Sequence, residues 1–193
     1  MSNNLAPFGF SQIGVLDGVS ANFGNSTRLI AKANATPVYS GDPVTTLGSG
    51  YITQSTAGST QIHGIFIGCK YLSVTRGITF WSKYWPGSDA AADIEAYVIS
   101  NPMTTFVVQA NGQLLQSHVG QNANFALGTG STLNGLSGAT LDVSTIATTN
   151  TLPFRIVSLI TAPLGQNGTD QTSPYGFAVV AFNNQDFKSL TGI

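Results

Sequence analysis

Charge is what this chain has least of: seven Lys and Arg and eight Asp and Glu stand among 193 residues, or 8%, where an ordinary soluble protein carries about 25%. Hydrophobic residues make up 42%, enough for a core, so the surface has to be built from neutral polar side chains. The 22 Thr, 19 Ser, 14 Asn and 10 Gln supply them. Disorder driven by charge is excluded. The net charge is −1, and the seven cations (Arg28, Lys32, Lys70, Arg76, Lys83, Arg155, Lys188) are scattered. No basic stripe exists to neutralise phosphates, so nucleic acid is not an expected partner.

Cysteine is nearly absent. Cys69 stands alone, which excludes an intrachain disulfide and a cysteine-based zinc site and fits a reducing compartment. Long apolar runs are missing too: Phe177 to Phe182 is the longest, far short of the roughly 20 residues that span a bilayer. No membrane partner is expected. The opening Met1-Ser-Asn-Asn has no basic stretch leading into an apolar one, so no secretory signal is expected. The sequons at Asn25, Asn34 and Asn167 are then products of an Asn- and Thr-rich chain.

What is present reads as antiparallel β. Short segments rich in Val, Ile, Thr, Tyr and Phe, each bounded by Gly, Pro, Asn or Asp, predict strands over 38–40, 44–46, 51–53, 61–71, 77–83, 94–100, 105–110, 154–161 and 175–182. Asn111-Gly112 predicts a two-residue hairpin between Phe106-Val-Val-Gln109 and Leu114-Leu115. Ser88 is a candidate cap for one helical turn from Asp89, although Ala96 to Ser100 reads equally well as strand. Gln121 to Phe125 is a candidate single turn. Residues 128–151, dense in Gly and Thr, read as a long loop pinned to the sheet by Leu133, Leu136, Leu141, Val143 and Ile146. Residues 1–36 read as an extended arm whose Phe8 and Phe10 dock on the body or on a neighbouring subunit. The expected organisation is an arm (1–36) and one β domain (37–193), folded as a jelly-roll-like sandwich or a small barrel.

Chemistry-bearing residues are few. His63 and His118 lack a chelating spacing, so no metal is expected. His63 and Cys69 lie six residues apart on one strand, roughly 20 Å by strand rise, too far for a thiol and its base. Cys69 reads as a small buried hydrophobe. Asp89, Asp93 and Glu95 form the one acidic cluster, readable as a hydrolytic pair or, more simply, as turn caps and a solvated edge. The densest aromatic stretch is Phe80-Trp81-Ser82-Lys83-Tyr84-Trp85-Pro86-Gly87. Its rings either close the core, meet a partner, or stack on sugars.

Several stretches, in order, carry a resemblance: Ala6-Pro7-Phe8-Gly9-Phe10, Tyr39-Ser-Gly-Asp-Pro-Val44, Gly64-Ile-Phe-Ile-Gly-Cys69, Phe80 to Pro86, Gly128 through Asp142, Leu152-Pro-Phe-Arg-Ile-Val157 and Phe182-Asn-Asn-Gln-Asp-Phe187. Together they span nearly the whole chain, which resembles the capsid decoration (cement, head-stabilising) proteins of tailed bacteriophages. The resemblance implies a virion structural protein made in the bacterial cytoplasm, without catalysis or cofactor. It implies binding to the outer surface of the major capsid protein shell, as a homotrimer or else a dimer. The alternative is a receptor- or carbohydrate-binding virion protein of the tail or head fibre. Pro7, Phe8, Phe10, Trp81, Tyr84 and Trp85 are the residues expected at capsid or subunit contacts.

Overall fold

The computed structural model describes residues 2–16, 24–161 and 169–189; Phe23 of the arm and the Asn167 sequon lie outside them. Among the described residues the strands are β1 (Ser11–Val15), β2 (Ser26–Ile30), β3 (Val38–Tyr39), β4 (Pro43–Thr46), β5 (Ile52–Gln54), β6 (Gly64–Leu72), β7 (Thr79–Ser82), β8 (Tyr84–Trp85), β9 (Ile94–Ile99), β10 (Thr104–Gln109), β11 (Asn122–Ala126), β12 (Thr140–Ala147), β13 (Phe154–Ile160) and β14 (Phe177–Phe182). The only helical pieces among the described residues are two single 3-10 turns, Gln116–His118 and Asp186–Lys188.

The fold is an all-β antiparallel sandwich. The first sheet has the order β1-β10-β14-β13-β11-β12, the second β2-β9-β6-β4-β5 with β7 also on β6, and β3 pairs β8 in a small third sheet. Each of the nine predicted strands is present, because β-branched and aromatic residues flanked by turn formers suit a half-buried pleated surface. The first sheet also curls: a single parallel bridge between Ala110 and Leu141 brings β12 back to the end of β10.

Two hydrophobic clusters lie on opposite faces of the second sheet. Ile65 and Ile99 join Phe106, Phe125, Phe154, Ile156, Val180 and Phe182 of the first sheet. Phe66, Cys69, Tyr71, Ile94, Ala96 and Val98 pack instead with Val38 and Trp85 of the small sheet. The second sheet is thus a middle layer. Strands buried on both faces read as continuous apolar runs, and Ile65-Phe66-Ile67 is such a run.

Five segments depart from expectation. The described parts of residues 1–36 are tied to the body: β1 is an edge strand on β10, and β2 is an edge strand on β9. Upstream, Ala6 N–H donates to Gln109 Oε1, and the Asn3 amide donates to the carbonyls of Asp170 and Pro174. The Asn111-Gly112 hairpin does not form. Asn111 N–H donates to Leu141 O instead, and its side chain binds Asp142 and Val143 N–H, so the tip of β10 is zipped to β12. Ser88 starts no helix; its φ of +55° is left-handed, whereas an N-cap is extended. The turn expected over 121–125 is instead the strand β11 (Asn122–Ala126), and the long loop contains β12. The rest of that loop is pinned through Ser137 N–H on Ser40 O and Ser40 N–H on Gly135 O, but not by Leu133, which is 96% exposed. Its glycines have a packing reason: a Cβ on Gly128 would stand 2.3 Å from Gly138 O.

Candidate functional site

The six residues expected at contacts do not form one surface. Phe10 is 2% exposed and its ring stacks on Phe154 with centroids 4.3 Å apart, inside the main core. Trp85 is wholly buried, donating its indole N–H to Asn34 O at 3.2 Å and meeting Tyr71 edge-on at 5.0 Å. Both lie in the chain's own cores; edge and stacked ring pairs of this kind add to burial energy. Pro7 and Phe8 are half-buried, Phe8 against Phe177, and half-buried Tyr84 stacks on Tyr39 at 5.3 Å. Trp81 alone of the six is mainly solvent-facing, at 63% exposure.

Strand alternation explains the difference between the two tryptophans. On β7, Phe80 turns toward the second core, where it meets Tyr71 edge-on and carries the Arg76 guanidinium 4.3 Å from its ring. Trp81 therefore points to the opposite face. There it lies parallel to Tyr97 (5.7 Å, 2° between planes), with Lys70 Nζ 5.2 Å from its ring. Lys70 reaches Glu95 at 3.8 Å, and the Tyr97 hydroxyl donates to Glu95 at 3.1 Å. A notch of about 470 Å³ opens beside these rings, lined also by Asn25, Gly68, Ser82 and Lys83.

At the end of the same ribbon the β6–β7 turn projects three apolar side chains, Leu72, Val74 and Ile78, each between 44% and 65% exposed. Asp89 organises this turn. Its carboxylate accepts from Ser73 Oγ at 2.7 Å, Thr75 Oγ1 at 2.7 Å and Thr75 N–H at 3.0 Å, and its carbonyl accepts from Val74 N–H. The Thr75 bonds, then Ser73, hold its carboxyl below the usual range. Asp93 likewise accepts from Lys32 N–H and the Tyr51 hydroxyl and is lowered by them. A general acid needs the opposite shift, a raised carboxyl. These two are turn ligands, as the simpler sequence reading had it.

The structure assembles one polar group that no local pattern announces. His63, 2% exposed, binds Asp186 through Nδ1 at 2.9 Å and accepts at Nε2 from Arg28 Nε at 3.0 Å. Because Arg28 only donates, the neutral imidazole carries its proton on Nδ1. Burial alone would raise Asp186; hydrogen bonds from His63 and Thr46 reverse this and hold its carboxyl low. The arrangement has the base and orienter of a nucleophilic triad, but Arg28 fills the place that a nucleophile would take. His63 and Asp186 are 123 positions apart, so only the fold shows the pair. Gln185 beside them donates to His63 O and Ser100 O, closing the tail over the second sheet.

Cys69 is buried in the second core, and burial pushes its thiol up to about 12. Since the thiolate is the reactive form, the native protein should react with a thiol reagent such as dithionitrobenzoate at least 100-fold more slowly than the urea-unfolded chain. Comparable rates would show that this core opens. A larger cleft of about 980 Å³ lies along Gln116, Val119, Leu159, Thr161 and Asp170. Its ionisable group, Asp170, is engaged by Thr172 and Ser173.

Comparison with protein-family models, with curated proteins and with solved structures finds no match to this chain. Among the described residues no three His, Cys, Asp or Glu side chains are grouped to hold a metal ion, and no helix is long and apolar enough to cross a membrane.

Proposed function

We propose that this chain is a structural component of a tailed-bacteriophage particle that binds the outer face of the capsid and stabilises the shell. The resemblance along nearly the whole sequence supports this reading, and the observation that carries it is the β6–β7 tip. Leu72, Val74 and Ile78 stand exposed on a turn that Asp89 holds rigid. Three exposed apolar side chains gathered on one turn suit a protein contact, and a turn already ordered before binding loses little entropy on docking. A coat with few charges lets many copies crowd on one shell with little repulsion. As a homotrimer, or as a dimer, the protein would present several such tips, so that later contacts are intramolecular and gain avidity. Binding the assembled shell in preference to its disrupted form stabilises it by mass action.

Quantitative mass spectrometry of purified particles tests the reading: the copy number of this chain should stand in a simple lattice ratio to the major shell protein. A few copies per particle, or none, would overturn it. The double variant Val74→Ser, Ile78→Ser should lose attachment to stripped particles by at least tenfold while its melting temperature stays within about 2 °C, since both side chains are solvent-facing. Unchanged attachment would remove the tip from the interface.

A further inference from the structure

Arg28 stands at the rim of the second core, in a setting more elaborate than a rim charge requires. On β2 it shares the face of Ile30, which is wholly buried in that core, while Thr27 and Leu29 point outward and are exposed. An inward charge on an edge strand guards that edge against pairing with other chains, and for that task any flexible cation would serve. Arg28 is held in place instead. Its Nε–H donates to His63 Nε2 at 3.0 Å; His63, 2% exposed, is bound through Nδ1 to Asp186 at 2.9 Å; and Asp186 also accepts from Thr46 Oγ1 at 2.7 Å. The edge strand β2, the residue before β6, the end of β4 and the 3-10 turn after β14 thus fix one guanidinium. Its central carbon lies 5.9 Å from the Phe187 ring, which also meets the His63 ring at 5.3 Å. One edge of the group stays open. Nη1 and Nη2 have no hydrogen-bond or ion-pair partner among the described residues, and neither is a buried atom, so both reach solvent.

We infer that Arg28 and Phe187 form a binding site for a carboxylate carried on an apolar group. With Nε engaged by His63, the guanidinium presents its end-on edge, a pair of N–H donors lying in one plane. That geometry matches the two oxygens of a carboxylate. Little ordering is left for the moment of binding, because a side chain that is ordinarily mobile is already set by a buried pair. A phosphate carries too much charge for this setting, since its second negative charge needs a second cation. The cluster has none: His63 is neutral, accepting from Arg28, Asp186 brings a negative charge of its own, and Lys188 is turned to Phe182 O at 2.8 Å. A cationic ligand would be repelled, and a wholly apolar one would strip water from two N–H groups without replacing it. Phe187 sets the rest of the ligand. Its ring is 55% exposed and flanks the guanidinium, so a carboxylate on an aromatic or aliphatic body gains apolar contact that a bare one lacks. A small organic acid and an acidic side chain flanked by apolar residues both present this chemistry.

Saturation-transfer NMR on the intact protein tests this through the signals of the ligand itself. Sodium benzoate and a capped Leu-Glu-Leu tripeptide are titrated at constant ionic strength, with benzamide as the uncharged counterpart of benzoate. At least one of the two carboxylates should give a saturable response with a dissociation constant on the order of 10 mM, the weak range expected of one fork and one ring. The tighter of the two shows whether the source is a small organic acid or an acidic side chain. Benzamide should bind at least tenfold more weakly than benzoate, and inorganic phosphate should displace the bound carboxylate no better than chloride does. Arg28→Lys, which keeps the charge and loses the fork, should weaken binding at least tenfold. Phe187→Ala, which removes an exposed ring, should weaken benzoate binding about threefold to tenfold with the melting temperature within about 2 °C of wild type, and it stands in if Arg28→Lys fails to fold. Absence of a saturable response to both carboxylates overturns the inference. So does benzamide binding as tightly as benzoate, displacement by phosphate well ahead of chloride, or undiminished binding in Arg28→Lys or Phe187→Ala. These measurements use the isolated protein, so they stand or fall separately from attachment to particles.

Discussion

Phe10→Ser should destabilise the isolated protein by about 3–5 kcal/mol, the range for emptying a large aromatic site in a core. For a chain of this length that corresponds to a fall in melting temperature of roughly 10 °C or more. The ring is 2% exposed and lies 4.3 Å from Phe154, which itself stacks on Phe182. Removal opens a cavity at the centre of the first sheet's core and leaves a hydroxyl there without a partner. Phe8→Ser should cost less than half as much, because Phe8 is half-buried and touches Phe177 only edge-on. Chemical denaturation of the two variants measures both. An unchanged midpoint for Phe10→Ser would mean that its ring belongs to a neighbouring subunit. The same contacts bear on deletion of residues 1–12: such a truncation removes Phe10 and part of β1, so lost attachment would have to be separated from lost stability.

Asp42→Ala should be of similar size. One carboxylate oxygen accepts from Tyr39 N–H and the Gln54 amide, each at 2.7 Å, and the other accepts from Ser137 Oγ. Asp42 also accepts Phe66 N–H on its carbonyl and donates its own N–H to Tyr39 O. One side chain therefore ties the β3–β4 turn to β5 and to the long loop. Hydrogen bonds to a charged group contribute about 1.5–3 kcal/mol each, and three sharing one partner are not additive; a loss of about 3–5 kcal/mol is expected. Burial raises the Asp42 carboxyl above its usual range, outweighing the bonds from Ser137, Tyr39 and Gln54. The sign of the pH dependence follows. The folded state holds this proton more tightly than the unfolded chain does, so stability from this group is full below the unfolded value of about 3.9 and declines as pH rises through the folded one. Asp42→Asn keeps an acceptor and cannot titrate, so it should remove that decline while costing less than Asp42→Ala. Urea midpoints of wild type and Asp42→Asn between pH 3 and 7 should differ most at the low end and draw together as pH rises. Asp186 acts in the opposite sense, since its carboxyl is held low: its contribution is present above the unfolded value and fades as pH falls through the folded one. A parallel offset between wild type and Asp42→Asn across the range would disprove the assignment to Asp42.

The fold class was legible because each of the nine predicted strands combines β-branched or aromatic residues with a turn former at its ends. What escaped was governed by contacts distant in sequence. β2 is Ser-Thr-Arg-Leu-Ile, an edge strand whose inward side carries the polar Ser26 and Arg28 before Ile30 and whose outward side exposes Leu29, and it looks like arm until β9 is beside it. β12 contains the alternating Leu141-Asp142-Val143, but the Gly and Thr around it obscure the period. Asn111-Gly112 has the chemistry of a tight turn, yet Leu141 and Asp142 offer the same groups better partners. The aromatic stretch was recognised as dense, and which ring faces out depends on the register of β7 against β6. Trp81 pairs with Lys70 and is exposed; Trp85 pairs with Val38 and is buried. Tyr97, Lys70 and Gly68 were invisible as members of one surface, since the bulge in β6, where Phe66 pairs with Val98 but Gly68 with Tyr97, leaves no mark in the sequence.

The place of β14 in the first sheet governs when this protein can fold. It lies between β10 and β13 and is hydrogen-bonded to both, yet it is the last strand in chain order among the described residues. A nascent chain ending before Gly176 would have two half-sheets joined only where the tip of β10 meets β12, and both would expose edges and core rings. Such pairings across long separations are slow to form, and open edges in the interval invite association between chains. Folding of the first sheet therefore awaits synthesis of residues 177–182, while the second sheet, whose strands all lie before residue 100, is free to form earlier.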